Sequence, residues 1–490
     1  MEKEVILALD QGTTSSRTLA FDHRGAVIAS AQKELTQHFP QPGWVEHDAL
    51  EIWQDQLATL REVKAEVLAK GYRVRALGVT NQRETTVAWN RKTGEPLGHA
   101  IVWQDRRTSQ RCQERKAAGL EAEVQAKTGL RLDPYFSASK MEWLLQELPE
   151  VAQAAARGEL AFGTIESWLV YRLTDGQRHC TDVSNASRTM LFSLRDCAWD
   201  KALCEEFGVP LEALPEIVES TASIGEWEGI PIAGMAGDQQ AALFGQECFE
   251  AGSSKCTYGT GCFVLMNTGE APVISENGLL TTVAWSLGGK VTYALEGSVF
   301  MGGAILSWLR DGMGLIEEVW EVEALAGSCQ DTGGVVLMPT FTGAGAPHWN
   351  PDLRGAFYGL SRGSGKAEIC RAALEAIAFQ CAEVLQAMEK DSGIDLKALR
   401  VDGGATGNDL LMQIQADLLG CEVVRPTCRE TTALGAAALA GLQVDFWKDQ
   451  AELAGKLDEE RIFVPESSVQ IAAGWERWRA ALAATQHFSE

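Results

Sequence analysis

Residues 7–22 read LALDQGTTSSRTLAFD. The pattern predicts a strand over Val5–Leu9, a polar turn, and a second strand over Arg17–Phe21. Hydroxyl groups and free backbone N–H groups at a tight turn can bind an anion such as phosphate, and glycine lets the backbone approach it closely. Asp10, at the end of the first strand, could hold Mg²⁺ beside that phosphate. For this motif alone, a plain hairpin turn is the more common interpretation.

The opening pattern returns in the second half of the chain. Residues 253–269, SSKCTYGTGCFVLMNTG, again predict a strand, a glycine-rich turn and a strand. Residues 231–245 predict a strand followed by a helix, and residues 399–420 predict a strand, a glycine-rich turn and a helix. The 490 residues also exceed what one core usually organises. We therefore predict an α/β protein of two similar domains, residues 1–246 and 247–490, with a cleft between them.

Charge and composition restrict the possible binding partners and the cellular location. Lys and Arg number 43 against 67 Asp and Glu, so the net charge is −24, which disfavours nucleic acids and anionic membrane surfaces as partners. No apolar run is long enough for a signal peptide or a transmembrane helix, so a cytoplasmic protein is expected. The twelve cysteines show no zinc-ligand spacing and are expected to be core residues. His38 and His47 are expected at the surface or in turns.

Three polar stretches follow predicted strands, where clefts of α/β proteins gather function. Asp238, in GDQQ, could accept a hydroxyl proton, although an N-cap is the commoner role for an acid at a strand–helix junction. Arg83 and Glu84, in NQRET, could donate to and accept from a polyol, or form a weak surface ion pair. Trp103, in WQDRR, could cover the carbon skeleton of a small ligand or belong to the core.

Common nucleotide-binding motifs are missing from the sequence. The stretch GSGKA at 363–367 has Ala367 where a phosphate-binding loop needs Ser or Thr, so it is interpreted as the cap of the following helix. No G-x-G-x-x-G joins a strand to a helix, which disfavours a dinucleotide-binding enzyme, and protein-kinase signatures are absent.

Ten blocks in order resemble the glycerol kinase family, in the sugar-kinase branch of the actin-like ATPase superfamily. They are DQGTTSSR, PGWVEHD, TNQRETTVAW, WQDRR, DPYFSASK, GDQQAALFGQ, TYGTGCFVLMNTG, ALEGSVFMGGA, VDGGATGND and TALGAAALAG. The resemblance implies two ribonuclease H-like domains around an active-site cleft. It also implies Mg²⁺-dependent transfer of a phosphoryl group from ATP to glycerol, giving sn-glycerol 3-phosphate and ADP, the first step of glycerol catabolism. A homodimer or homotetramer is expected from the resemblance alone.

The resemblance assigns roles to matching positions. Asp238 would be the catalytic base and Asp10 the residue near Mg²⁺. The residues that would bind glycerol are Arg83, Glu84, Trp103, Tyr135, Asp238, Gln239 and Phe263. Those that would bind ATP are Thr13, Thr14, Ser15, Arg17, Thr260, Gly303, Ser307, Gly404 and Asn408.

Some positions depart from the family pattern. Ser307 stands where many members have Gln near the nucleotide, and Gly229 stands where some bacterial members have an Arg that binds a sugar bisphosphate. Residues 211–230 contain no His that could be phosphorylated, so neither form of control is expected. Two alternatives to a glycerol kinase are a kinase for a longer substrate, such as xylulose or gluconate, and a non-catalytic nucleotide switch. Retention of Asp10, Arg83, Glu84 and Asp238 together disfavours the switch.

Overall fold

The computed structural model describes residues 3–455 and 459–489. Its strands in chain order are β1 (Glu4–Gln11), β2 (Ser15–Phe21), β3 (Val27–Glu34), β4 (Glu46–His47), β5 (Arg73–Asn81), β6 (Val87–Asn90), β7 (Ala100–Ile101), β8 (Leu160–Gly163), β9 (Cys180–Asp182), β10 (Phe192–Ser193), β11 (Ala198–Trp199), β12 (Glu216–Val218), β13 (Thr221–Trp227), β14 (Ile230–Gly237), β15 (Ser253–Tyr258), β16 (Cys262–Gly269), β17 (Leu280–Leu287), β18 (Lys290–Val299), β19 (Val336–Met338), β20 (Ala356–Tyr358), β21 (Ala398–Asp402), β22 (Glu422–Pro426) and β23 (Glu459–Phe463).

The α-helices are α1 (Ala49–Ala69), α2 (Ser109–Ala117), α3 (Glu121–Thr128), α4 (Ser137–Glu147), α5 (Pro149–Ala156), α6 (Ile165–Leu173), α7 (Val183–Ala186), α8 (Lys201–Glu206), α9 (Asp238–Gly245), α10 (Ala304–Asp311), α11 (Glu321–Gly327), α12 (Lys366–Ser392), α13 (Asp409–Leu419), α14 (Thr431–Gln443), α15 (Gln450–Leu453) and α16 (Val469–Ser489). Short 3₁₀ helices cover Leu211–Ala213 and Gly404–Gly407. Within the described residues, no helix is long and apolar enough to cross a membrane.

Two large sheets share a core arrangement of one antiparallel hairpin and neighbouring parallel strands. The first has the strand order β13-β14-β5-β1-β2-β3, in which β1, β5 and β14 are parallel and β2, β3 and β13 run antiparallel to their neighbours. The second has the order β17-β18-β16-β15-β21-β22-β23, with β15, β21 and β22 parallel. Each sheet therefore starts with an antiparallel hairpin, β1–β2 or β15–β16, and continues with parallel strands on the far side of the hairpin's first strand. We call the elements up to α9 the first half and those from β15 the second half.

Burial explains why the first strand of the chain is continuously apolar. Residues 5–9 of β1 are fully buried, because helices cover both faces of a sheet whose central strands are parallel. On one face lies α1, which begins after Asp48, whose side chain accepts a hydrogen bond from the Leu50 N–H at 2.8 Å. Its buried apolar positions, such as Ile52, Leu60 and Val63, recur at helical spacing.

The opposite face of the first sheet is covered by α14, a helix from the second half. It packs on β1, β5 and β14 and crosses α9. The approach is very close, because a Cβ added at Gly435 would lie 1.8 Å from the Ala241 carbonyl oxygen, and one added at Gly245 would lie 2.0 Å from that of Thr431. A Cβ added at Gly78 on β5 would lie 2.1 Å from the Ala436 carbonyl oxygen. The two halves therefore meet through backbone contacts that only glycine and alanine allow.

Most predicted elements are confirmed with shifted ends. The predicted strand Val5–Leu9 is Glu4–Gln11, and the predicted strand Arg17–Phe21 is Ser15–Phe21. The 363–367 stretch caps α12 as predicted, since the Gly365 N–H donates to Glu368 at 2.8 Å. The expectation for His47 was wrong: it is fully buried in β4, which pairs with β7, and this burial lowers its pKa to about 4.

Replacing Gly435 by alanine tests the close contact between the halves. The new methyl group would overlap the Ala241 carbonyl, so α14 and α9 must separate. We expect Gly435→Ala to lower the free energy of unfolding by about 2–3 kcal/mol, measured by urea denaturation. Gly327→Ala is the control, because a Cβ there meets nothing within 4 Å. Unchanged stability in Gly435→Ala would contradict the tight crossing.

Candidate active site

The carboxyl ends of three parallel strands bring three predicted residues to one edge of the first sheet. Gln11 at the end of β1 pairs with Asn81 at the end of β5, and Asn81 pairs with Gly237 at the end of β14. Asp10, Arg83 and Asp238 therefore leave neighbouring strands at the same level. Residues 81–86 are all nearly fully buried, so the alternative of an exposed loop at NQRET is wrong.

Arg83 and Arg188 converge on one carboxylate from the second half. Glu296, in the middle of β18, accepts hydrogen bonds from the two terminal nitrogens of Arg83 at 2.5 and 2.9 Å and from Arg188 at 2.9 Å. All three side chains are at least 97% buried. Burial alone would raise the pKa of Glu296, but Arg188 and Arg83 outweigh burial and lower the pKa to about 2. We call Arg83, Glu84, Arg188 and Glu296 the buried charge cluster.

Glu84 completes the buried charge cluster. Its carboxylate accepts a hydrogen bond from the Arg188 Nε at 2.7 Å and lies 3.8 Å from the Arg83 Nε. Its backbone φ is 59°, an uncommon value for a residue other than glycine. The cluster thus alternates two carboxylates with two guanidiniums and has no net charge. Such pairing is needed for charges that are removed from water.

Asp238 lies at the first position of α9, at the edge of the buried charge cluster. Its Oδ1 is 3.3 Å from the Arg83 Nε and accepts a hydrogen bond from the Gln239 N–H at 2.7 Å. The Asp238 side chain is 30% exposed, whereas that of Arg83 is 2% exposed. Loss of hydration raises its pKa to about 6, against the lowering effect of Arg83, with Glu84 raising it and Lys255 lowering it. The carboxylate is therefore ionised near neutral pH and can take up a proton.

An aromatic wall faces these charges. The Trp103 ring lies 5.6 Å from Tyr135 and 6.3 Å from Phe263, centroid to centroid, and both contacts are edge-on. Phe263 belongs to β16 of the second half, so both halves contribute to the wall. Tyr135 also accepts a hydrogen bond from Arg83 at 3.3 Å. A small ligand here would meet apolar ring faces on one side and charged hydrogen-bonding groups on the other.

The turn between β1 and β2 lies beside the aromatic wall. It is closed by a hydrogen bond from the Gly12 N–H to the Ser15 carbonyl at 2.9 Å, and Thr13, Thr14 and Ser15 keep some exposure. The Trp103 indole N–H donates to the Thr13 hydroxyl at 2.9 Å, which joins the wall to this turn.

Arg17 already pairs with two carboxylates, so its guanidinium is not free to bind a phosphate. It forms one ion pair with Asp10 and another, at 2.8 Å, with Glu430, which directly precedes α14. Its side chain therefore links the first turn to the second half, and an anion at this turn would have to share it with two carboxylates.

The remaining predicted residues lie together on the second half. Thr260 is exposed at the tip of the β15–β16 turn. Gly303, at the start of α10, donates its N–H to the Gly259 carbonyl at 2.8 Å, and a Cβ added there would lie 3.8 Å from Ala405. Gly404 lies in the 3₁₀ helix after β21, and Asn408 caps α13 through the Leu411 N–H. Ser307 lies one turn into α10, where its N–H bonds to Gly303. The glycine-rich turns therefore form one surface.

Sequence reasoning missed four buried polar residues: Arg188, Gln240, Lys255 and Glu296. Gln240 accepts a hydrogen bond from Arg83 at 3.2 Å, and Lys255 donates to Gln239. A signal was present for two of them, because Lys255 is the one charged residue of β15 and Glu296 is the one charged residue in the buried part of β18. Arg188 lies in an irregular segment, where no periodicity predicts burial.

Three thiols lie close together in the core of the second half. The sulfur atoms of Cys256, Cys262 and Cys381 are all within 4.8 Å of one another, and all three residues are fully buried. Their burial fits the prediction that cysteines serve mainly as small core residues.

Family comparisons account for nearly the whole chain. Residues 5–245 match the N-terminal domain of the FGGY family of carbohydrate kinases, and residues 254–444 match its C-terminal domain. The chain belongs to the FGGY family of carbohydrate kinases. Within this family it is similar to the glycerol kinase of Dechloromonas aromatica, with 55% identity across 99% of this chain and 98% of that protein. It is also similar to the glycerol kinase of Trichlorobacter lovleyi, with 56% identity across 96% and 97%.

Solved structures of the family share the fold. Plasmodium falciparum glycerol kinase with ADP superposes with a TM-score of 0.94 and 37% identity, covering 99% of this chain and 98% of that one. The xylulose kinase of Lactobacillus acidophilus has a TM-score of 0.89 at 21% identity, with the same coverage of each chain, and shows the likeness of fold alone.

Replacing Glu296 by glutamine tests the buried charge cluster. The substitution keeps the shape but leaves Arg83 and Arg188 without their shared carboxylate. We expect a loss of about 3 kcal/mol or more in the free energy of unfolding, measured by urea denaturation. The exposed Glu318→Gln is the charge-matched control and should change stability by less than about 0.5 kcal/mol. Equal stability of the two variants would disprove the role given to Glu296.

Proposed function

We propose that this chain is an ATP-dependent glycerol kinase, which transfers a phosphoryl group from ATP to glycerol and releases sn-glycerol 3-phosphate and ADP. One observation carries the proposal: Asp238, Arg83 and Glu84 lie together, opposite an aromatic wall, beside a hydroxyl-rich turn at the end of β1. The glycerol kinases of 53–56% identity, matched over almost the full chain, support the same assignment.

The side chains of the site match the hydroxyl and CH groups of glycerol. Glycerol has three hydroxyl groups and little apolar surface, so it needs charged partners rather than a large hydrophobic pocket. Arg83 and Tyr135 can donate, Glu84 and Asp238 can accept, and the ring faces of Trp103 fit its CH groups. A diol would leave one of these buried groups unpaired, which typically costs about 10⁴-fold in rate.

Asp238 acts as the base in this proposal. Its carboxylate accepts the proton of the attacking hydroxyl while the new O–P bond forms and the bond to the leaving ADP oxygen breaks. Because the transition state for phosphoryl transfer is loose, the proton leaves late and orientation matters more than basicity. The contact with Arg83 and the hydrogen bond from the Gln239 N–H fix that orientation.

The phosphate chain of ATP is assigned to the two turns. Thr13, Thr14 and Ser15 supply hydroxyl and N–H groups from the first half, and Thr260 supplies them from the second. The nucleoside is assigned to the surface formed by Gly303, Ser307, Gly404 and Asn408.

Asp10 is the proposed site for Mg²⁺. Its carboxylate suits a hard cation, and Mg²⁺ usually needs only one or two protein carboxylates besides phosphate and water. Bound there, the ion would neutralise charge on the phosphates. Arg17 now pairs with Asp10, so binding of the ion would have to weaken that contact.

Three further assignments accompany the function. We propose a division into domains after Gln246, which follows α9 and precedes the second hairpin. All twelve cysteines are free thiols, which supports a reducing compartment such as the cytoplasm. A homodimer or homotetramer remains the proposed assembly by family resemblance, to be measured by light scattering.

Substrate choice is tested by ADP release from the purified protein with ATP and Mg²⁺. We expect rapid release with glycerol, slow release with propane-1,2-diol, and none above background with xylulose or gluconate. The outcome that would contradict the proposal is release with xylulose or gluconate but not glycerol, which would identify a kinase for a longer substrate.

The role of Asp238 predicts a specific pH dependence. Its raised pKa of about 6 means that the carboxylate becomes protonated, and inactive as a base, as the pH falls through that value. We expect kcat/KM for glycerol to fall on the acid side with a midpoint near pH 6, and Asp238→Asn to lose about 10²–10⁴-fold in kcat. Asp196→Asn, away from the cleft strands, is the control. A fully active Asp238→Asn variant would exclude this base.

A further inference from the structure

Lys255 is a fully buried lysine at the cleft whose role the proposed reaction leaves open. It lies in β15, and its Nζ donates to the side-chain oxygen of Gln239 and, at 2.9 Å, to the Thr257 hydroxyl. Lysine is almost never fully buried without partners, because its ammonium loses hydration. Here the partners come from both halves, since Gln239 belongs to α9 and Thr257 to β15.

The contact fixes which way the Gln239 amide faces. An ammonium group can only donate, so the amide oxygen must point to Lys255. The NH₂ group of Gln239 then points away from Lys255 and can donate to an oxygen of the acceptor alcohol. Without Lys255, the amide could rotate and exchange its donor for an acceptor.

The Lys255 ammonium also interacts electrostatically with the Asp238 carboxylate. The groups that face its carboxylate are Arg83, Glu84, Lys255 and the Gln239 N–H; Arg83, Lys255 and the N–H favour its ionised form and Glu84 opposes it. Lys255 in turn faces Arg83 and the carboxylates of Asp402 and Asp238, with Cys256 beside it. Burial lowers the pKa of Lys255, and Asp402 and Asp238 raise it.

Asp402 provides a counter-charge from the end of β21. Its Oδ2 accepts hydrogen bonds from Gln246, at 3.1 Å, and from Thr431, the first residue of α14. Its Oδ1 is buried without a hydrogen-bond partner within the described residues. The environment of Lys255 therefore includes a carboxylate, apart from the site residues, that favours the charged ammonium.

We propose that Lys255 is a positioning residue for phosphoryl transfer, which orients the Gln239 amide toward the acceptor alcohol and supplies a positive charge near the Asp238 carboxylate through its contact with Gln239. The proposal rests on the proposed function, because it assigns Gln239 and Asp238 to the acceptor. It adds a cation from the second half to an acceptor site that lies mainly on the first.

The test compares pH profiles of kcat/KM for glycerol. In Lys255→Met the positive charge beside Asp238 is lost, so Asp238 holds its proton to higher pH. We expect the acid limb to move up by about one pH unit, and KM for glycerol to rise while KM for ATP stays within about twofold. Lys255→Arg, which keeps the charge, should leave the limb in place. Lys290→Met removes an exposed charge from the second sheet and is the matched control.

A second neutral variant separates charge from hydrogen bonding. Lys255→Gln keeps a donor for Gln239 and Thr257 but carries no charge, so its acid limb should also move up. It serves as the test if Lys255→Met does not fold, which circular dichroism would reveal. Acid limbs at the position of the unmodified protein in both neutral variants would overturn the proposal. Lack of glycerol phosphorylation by the unmodified protein would instead reject the proposed function.

Discussion

The pairing of Glu296 with Arg83 and Arg188 is the interaction on which the site depends. One carboxylate from β18 of the second half satisfies two guanidiniums that sit in loops of the first half. None of these charges could be buried alone, because each would lose its hydration without compensation. Once paired, they are fixed in direction as well as position, since a guanidinium bonds along defined N–H vectors. Arg83 therefore presents its remaining nitrogen to Asp238 in a set geometry.

The helices that join the two halves also carry residues of the candidate site. Asp238 is the first residue of α9, and Glu430, the partner of Arg17, immediately precedes α14. These two helices cross with their backbones in contact at Gly245 and Gly435. A displacement at this crossing would move Asp238 relative to the first turn and change the Arg17 contacts. The small residues of the helices are thus part of how the cleft is positioned.

The sequence predicts the fold well because its signals are local. Apolar runs that stop at Asp10, Gly237 and Asp402 mark the strand ends, and the repeated hairpin pattern indicates two matching halves. Asp238, Arg83 and Asp10 could be found in the same way, since polar groups directly after buried strands gather at one sheet edge.

The ion-pair partners of these residues could not be predicted from local sequence patterns. Arg83 and Glu296 are 213 positions apart, and Arg17 and Glu430 are 413 apart, so only the packing of the halves reveals either pair. The burial of His47 had the same origin, because the short strand β4 carries too few residues to show a period. Charged residues inside buried strand segments, such as Lys255 and Glu296, are a signal in the sequence itself, because a buried charge needs a partner.

A crystal structure with glycerol, Mg²⁺ and a non-hydrolysable ATP analogue tests the central claim most directly. The account predicts that one terminal hydroxyl of glycerol lies between the Asp238 carboxylate and the γ-phosphorus, with the other hydroxyls on Arg83 and Glu84. It also predicts that Glu296 remains bound to Arg83 and Arg188. Glycerol bound elsewhere, or Arg83 released from Glu296 to contact phosphate, would contradict it.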